Sequence, residues 1–261
     1  MKTDKAKELA EKALKDLSEA LSAGHSERFT EYLTTMSRFH RYSFRNLMLI
    51  ALQRPDATHV AGFHAWRKLG RFVNKGEKGI AILAPIAYKK DDESAETDER
   101  EVRGFRAVHV FDVSQTDGEP LPEPESVSGD PGLYTNRLHN CIESHGIELQ
   151  YSDTLSSDGR SSGGKITIRS GLTPGHDFEV KVHELAHELL HHEENERYSK
   201  TVSETEAEAV AFVVCQAIGL ATGTACSDYI QLYNGDTDVL AASLERIQST
   251  SAAILDALGL A

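Results

Sequence analysis

The sequence predicts an α+β protein made of two regions in series. Three observations carry this. Residues 1–118 combine apolar residues at helical spacing with segments that alternate apolar and polar positions. Residues 119–132 (EPLPEPESVSGDPG) hold four of the seven prolines and read as a linker. Residues 133–261 then read as several helices beside a small set of strands. A chain of 261 residues suits this division, since either part can bury its own core.

In order along the chain, residues 4–23 place Leu9, Ala13, Leu17 and Leu21 on one helical face and stop at Gly24. Residues 26–53 continue the helical period through Phe29, Leu33, Met36 and Phe39, then Leu47, Ile50 and Ala51, and end before Pro55. Residues 58–60 are a short strand candidate and 63–69 a helical turn. GEKGIAILAP (76–85) is a strand entered through a glycine turn, and AVHVFDV (107–113) alternates and should pair with it. Between them, 91–101 has seven acids and one arginine, the composition of a solvated loop. In the second region, helices are expected at 133–145, 177–193, 201–219, 225–233 and 237–259, and strands at 147–151 and 165–169 around a Ser/Gly loop, 156–164.

Composition excludes several classes. No apolar run approaches the ~18 residues a membrane-spanning helix needs, so no membrane partner is expected. The N-terminus lacks a signal-peptide core. Three cysteines (Cys141, Cys215, Cys226) make no disulfide framework, so a reducing cytoplasm is the expected compartment. Cys215 suits a small buried apolar position, and Cys226 shows no sign of reactivity.

A net charge of −13 argues against general nucleic-acid binding, but the charge is uneven. Residues 26–90 hold 12 basic and 4 acidic residues, a local +8, and 9 of the 18 aromatics. Cations that follow phosphates and rings that stack on bases are what a single-strand groove requires. Tyr42, Asn46, Trp66, Arg67, Arg71 and Lys75 are the candidate contacts, with Trp66 equally suited to the core. The plainer reading is a basic face over an aromatic core.

GRSSGGK (159–165) imitates a phosphate-binding loop. Ile166 stands where such a loop needs Ser or Thr, and the segment leads into a strand rather than a helix. Nucleotide binding is therefore rejected there.

His183-Glu184-Leu185-Ala186-His187 is the strongest chemical signal. Two histidines four apart on a helix can share one Zn²⁺, and the glutamate beside the first can reach a water as general base. Val180, Leu185, Leu189 and Leu190 give this helix an apolar side; the plainer reading is a histidine-rich surface helix. For a third ligand, Glu204 opens a second helix 17 residues after His187, with Glu208 one turn further on. Glu208 could accept a hydrogen bond from a ligand histidine, while Glu206 points elsewhere. Small Ala207 and Ala211 would let the two helices approach. These acids are otherwise favourable first-turn residues. His191 and His192 are placed at the helix end or behind the ligands.

HELAHELLHH followed by ETEAEAVAFVVCQAIGL, DYIQLYNGD and SLERIQSTSAAIL resembles the zincin-like metallopeptidase domain of ArdC-type antirestriction proteins. YSFRNLMLIALQRPDATHVAGFHAWRKLGRFVNKGEKGIAILAP, with VFDVSQTDGEPLPE, is similar to the N-terminal single-stranded-DNA-binding domain of the same proteins. The resemblance covers most of residues 25–255, with the acidic stretch 91–101 and the helix at 1–24 as departures. It implies carriage on mobile elements, single-stranded DNA binding, protection of incoming DNA from restriction, metal on His183, His187 and Glu204, and a catalytic Glu184. The resulting expectation is a zinc peptidase, acting on an unidentified protein substrate, joined to a DNA-binding domain. The alternative is a non-enzymatic DNA-coating protein with a structural metal. Three convincing ligands, rather than the four of a closed structural site, favour the first.

Overall fold

The computed structural model describes residues 2–25, 27–89, 100–121, 130–191, 199–221 and 236–260. They form an α+β fold. The first elements are α1 (Thr3–Ser22), α2 (Glu27–Arg38), α3 (Phe44–Gln53), β1 (Val60–Gly62), α4 (Phe63–Lys68), β2 (Arg71–Val73), β3 (Ile80–Lys89), β4 (Arg100–Asp112) and β5 (Thr116–Gly118). There follow α5 (Leu133–Ser144), β6 (Glu148–Ser152), β7 (Gly159–Ser161), β8 (Lys165–Arg169), α6 (Pro174–Leu190), α7 (Lys200–Ala217) and α8 (Thr237–Ala257). Two compact units result: Met1–Lys15 with Arg45–Pro122, and Asp16–Phe44 with Glu123–Ala261.

In the first unit, β4 lies between β1 and β3, antiparallel to both, and Ile80 faces Val110 across the β3–β4 ladder. β3 is therefore an edge, and α3 closes it. The Asn46 side chain accepts from the Leu83 N–H at 2.8 Å and donates to the Leu83 carbonyl at 2.9 Å. Seven residues on, Gln53 makes the same pair of bonds to Ala81, at 3.0 and 2.9 Å. Two helical turns thus match two residues of strand, and the amides supply the partners that an open edge lacks. Ala6, Ala10 and Leu49 pack with Leu83 under this cover. Trp66 is 1% exposed, and its indole N–H donates to the Phe111 carbonyl.

β2 and β5 form a separate antiparallel pair. Arg71 clamps it by donating to Thr116 Oγ1 (2.8 Å), the Thr116 carbonyl (3.0 Å) and the carbonyls of Gly118 and Glu119. Gly118 has φ +135°, and a Cβ there would clash with the Gly70 carbonyl.

In the second unit, β8 lies between β6, to which it is parallel, and β7, to which it is antiparallel. α6 packs on β7 and β8 and most extensively on α7, which also meets α2 and α8. Phe29, Leu33 and Met36 of α2 are completely buried.

Several boundaries differ from the sequence expectation. The helix read through 26–53 is two helices, because residues 39–43 turn where the chain passes from one unit to the other. The N-terminal domain read as 1–118 correspondingly loses residues 16–44 to the second unit; that assignment needs contacts with α7, far away in sequence. The strand expected at 58–60 lies at Val60–Gly62, and the one expected from residue 76 begins at Ile80. The three-residue strands β2, β5 and β7 were not foreseen, being too short to show a period. Most of the 91–101 and 119–132 segments and the helix expected at 225–233 lie outside the described residues.

Candidate metal centre

α6 begins with Thr173 at its N-cap and Pro174 in its first turn, and its central turns carry the two histidines. Their spacing puts the rings edge to face with centroids 4.7 Å apart and the Nε2 atoms 3.1 Å apart. Ser199 is the N-cap of α7, its hydroxyl accepting the Val202 N–H, and α7 brings Glu204 to the same place. Glu204 Oε2 is 3.6 Å from Nε2 of both His183 and His187. One ligand atom from each of these three residues lies within 4.8 Å of the others, a set able to hold a metal ion. Ala186, Ala207 and Ala211 are buried.

Electrostatics agree with the geometry. The imidazoles of His183 and His187 hold the Glu204 carboxyl well below the usual carboxylate range, against some desolvation. Burial opposes charge on His183, yet the Glu204 hydrogen bond and the charges of Glu184, Glu204 and Glu208 outweigh it and raise its pKa. Glu184 is buried, and desolvation pushes its carboxyl up, against the nearby histidines and a hydrogen bond from Ser161.

Glu184 owes its place to β7. A Cβ on Gly159 would lie 2.6 Å from Glu184 Oε1 and 2.6 Å from Val180 Cγ1, so only glycine admits the carboxylate there. The loop that imitates a phosphate site has a resident anion instead. Glu188 of α6 accepts the N–H groups of Ser162 (3.0 Å), Gly163 (2.9 Å) and Gly164 (2.7 Å). This fastens the β7–β8 turn to the helix that carries the site.

Glu208 is exposed and contributes to the field at His183. His191 sits 3.1 Å from His187, Nδ1 to Nδ1, and meets Glu206 on its other side. Glu206 does point away from the trio, but into the interior rather than idly. Gly159, Ser161, Glu188, Glu206, Ser243 and Arg246 were not found from the sequence. A glycine in a Ser/Gly loop, or an arginine some 40 residues downstream, gives no spacing signal. Cys215 is fully buried, and burial pushes its thiol up. His192 and Cys226 lie outside the described residues.

The nucleic-acid candidates fare differently. Trp66 and Asn46 are interior residues with backbone partners and take structural roles, and Arg71, partly buried, donates across the β2–β5 pair. Tyr42 is half-buried, edge-on to Phe39, in the second unit. Arg67 and Lys75 are exposed, as are Lys68 and the rings of Phe63, Phe72 and Phe105.

Fold and site together define a two-unit α+β protein with a His-Glu-x-x-His helix facing a glutamate from the next helix. Residues 4–111 match the family model of the N-terminal domain of the anti-restriction factor ArdC. The match begins within α1, so the N-terminal helix is part of the family's domain and not a departure from it. The crystal structure of the antirestriction ArdC protein from the R388 plasmid, metal-free, is similar with TM-score 0.52 and 18% identity over 83% of this chain and 85% of that one. Its Mn(II)-bound structure gives TM-score 0.50 and 16% identity over 87% and 97%. An uncharacterised protein of Bacillus anthracis is 26% identical over an aligned length of 159, and the match covers 52% of this chain and 26% of that protein's length. Among the described residues, no helix is long and apolar enough to cross a membrane.

Proposed function

We propose that this chain is an antirestriction protein of mobile DNA that binds single-stranded DNA through its first unit and hydrolyses peptide bonds at a zinc site in its second. The observation that carries the reading is the meeting of His183, His187 and Glu204 within 4.8 Å, beside the buried Glu184. Two imidazoles and one carboxylate suit zinc, and the half-exposed Glu204 leaves a solvent side where a fourth ligand can enter. The same donors suit manganese, the ion bound in the R388 ArdC structure.

When bound, the metal supplies a Lewis acid that polarises a carbonyl. The chain supplies the rest. His183, His187 and Glu204 hold the ion. Glu184, kept basic by desolvation and oriented by Ser161, takes the proton of the attacking water and delivers it to the leaving nitrogen. In the first unit, Phe63, Phe72 and Phe105 present rings to bases, and Arg67, Lys68 and Lys75 present charge to phosphates. Both activities belong in the cytoplasm of the cell that receives the DNA.

The test uses the zinc-loaded full chain and a library of unstructured peptides. Wild type should cleave members of the library, and Glu184→Gln should keep the metal while losing turnover by about 10²–10⁴-fold. Unchanged turnover in that variant would remove Glu184 from the mechanism. If wild type holds zinc and cleaves nothing, the metal is structural and the hydrolase half fails.

A further inference from the structure

Behind the trio runs a line of polar atoms that ends on a completely buried carboxylate. Glu206 on α7 is 0% exposed, and both its oxygens are occupied. Oε1 accepts from Ser243 Oγ and Arg246 Nη2; Oε2 accepts from Arg246 Nε at 3.0 Å and lies 3.2 Å from His191 Nε2. His191, also buried, reaches His187 with its other ring nitrogen, Nδ1 to Nδ1 at 3.1 Å. His187 Nε2 then faces His183 and Glu204.

The direction of hydrogen bonding along this line is set at its buried end. A carboxylate gripped by a guanidinium fork and a hydroxyl only accepts. His191 Nε2 is therefore the donor to it. A neutral imidazole has one ring proton, so His191 Nδ1 is left as an acceptor. It takes the Nδ1–H of His187, and His187 Nε2 keeps a bare lone pair aimed at the place where the trio converges. The opposite tautomer of His187 would put a proton where the ion must bind.

We infer that Glu206, acting through His191, selects the metal-binding tautomer of His187 before any metal arrives, and that Arg246 and Ser243 hold Glu206 in place for this. Glu206 and His191 are positioning residues. The inference rests on the metal-site reading, but its first consequence is a property of the metal-free protein.

The experiment is long-range ¹H–¹⁵N NMR of the histidine rings in the metal-stripped full chain at about pH 8, above the ordinary histidine pKa. In wild type, His187 should carry its proton on Nδ1. His191→Phe keeps a ring of similar size but no acceptor, so His187 should divide between tautomers. Zinc affinity, read by competition with a chromogenic chelator, should fall about 10–100-fold. Glu206→Gln, whose amide can donate to His191, should shift His187 toward the Nε2–H form. A wild-type His187 protonated on Nε2 overturns the inference even if both variants fail to fold. So does unchanged zinc affinity in a folded His191→Phe. A wild-type ring in the Nδ1–H form in a chain that binds no zinc would support the relay and overturn the metal reading instead.

Discussion

On α6, two histidines four residues apart finish with their Nε2 atoms 3.1 Å apart. In the first unit, Trp66 and Arg71 are five residues apart and finish with unrelated tasks, one filling the core and one clamping β2 to β5. The difference lies in what converts sequence into position. A helix turns a spacing of four into a shared face whatever surrounds it. A short helix followed by a three-residue strand fixes no face, and only the completed sheet decides which side chains turn inward. The two histidines of the candidate trio therefore follow from spacing, whereas an excess of basic and aromatic residues does not say which of them reach the surface.

Four substitutions can break or sharpen this contrast. Trp66→Ala should have the largest effect, about 3–5 kcal/mol of lost stability from a core cavity and an orphaned Phe111 carbonyl. Urea denaturation of the full chain reads it. An unchanged melt with lost DNA binding would return Trp66 to the surface. Asn46→Ala removes both partners of Leu83 on the β3 edge, and about 2–3 kcal/mol should be lost by the same measurement. A loss below 0.5 kcal/mol would mean that the edge is satisfied without α3.

Gly159→Ala tests the tighter unit. The new Cβ displaces the Glu184 carboxylate, so peptide turnover should fall about tenfold or more while zinc content stays whole. Turnover equal to wild type would show that β7 does not hold the base. Phe72→Ala should do least to the fold, since the ring is 57% exposed: stability within about 0.5 kcal/mol of wild type. Affinity for a single strand of ~30 nucleotides should still drop by about 1–3 kcal/mol. If affinity holds, the stacking surface lies elsewhere on the unit.

Much of the helical framework was legible because apolar residues recur at helical spacing: α1, α5, α6, α7 and α8 begin and end within a few residues of the expected places. The β3–β4 pairing was legible through alternation. The discontinuous second unit was not, because α2 reads like its neighbours in sequence and only packing on α7 assigns it. His183, Glu184, His187 and Glu204 were legible as a pattern of spacing and residue type. Glu206 falls outside that pattern on its helical phase. Its role depends on Arg246 and Ser243 arriving from α8, which no local spacing records.

His183, His187 and Glu204 are proposed to form one metal centre. Elemental analysis and calorimetric titration of the full chain test it most directly. Wild type should hold about one zinc or manganese ion per chain, while His187→Ala and Glu204→Ala, each still folded, should lose it, because each removes one of the three candidate ligands among the described residues. A wild-type chain that takes up neither ion, or a His187→Ala variant that keeps full metal content, would contradict the account.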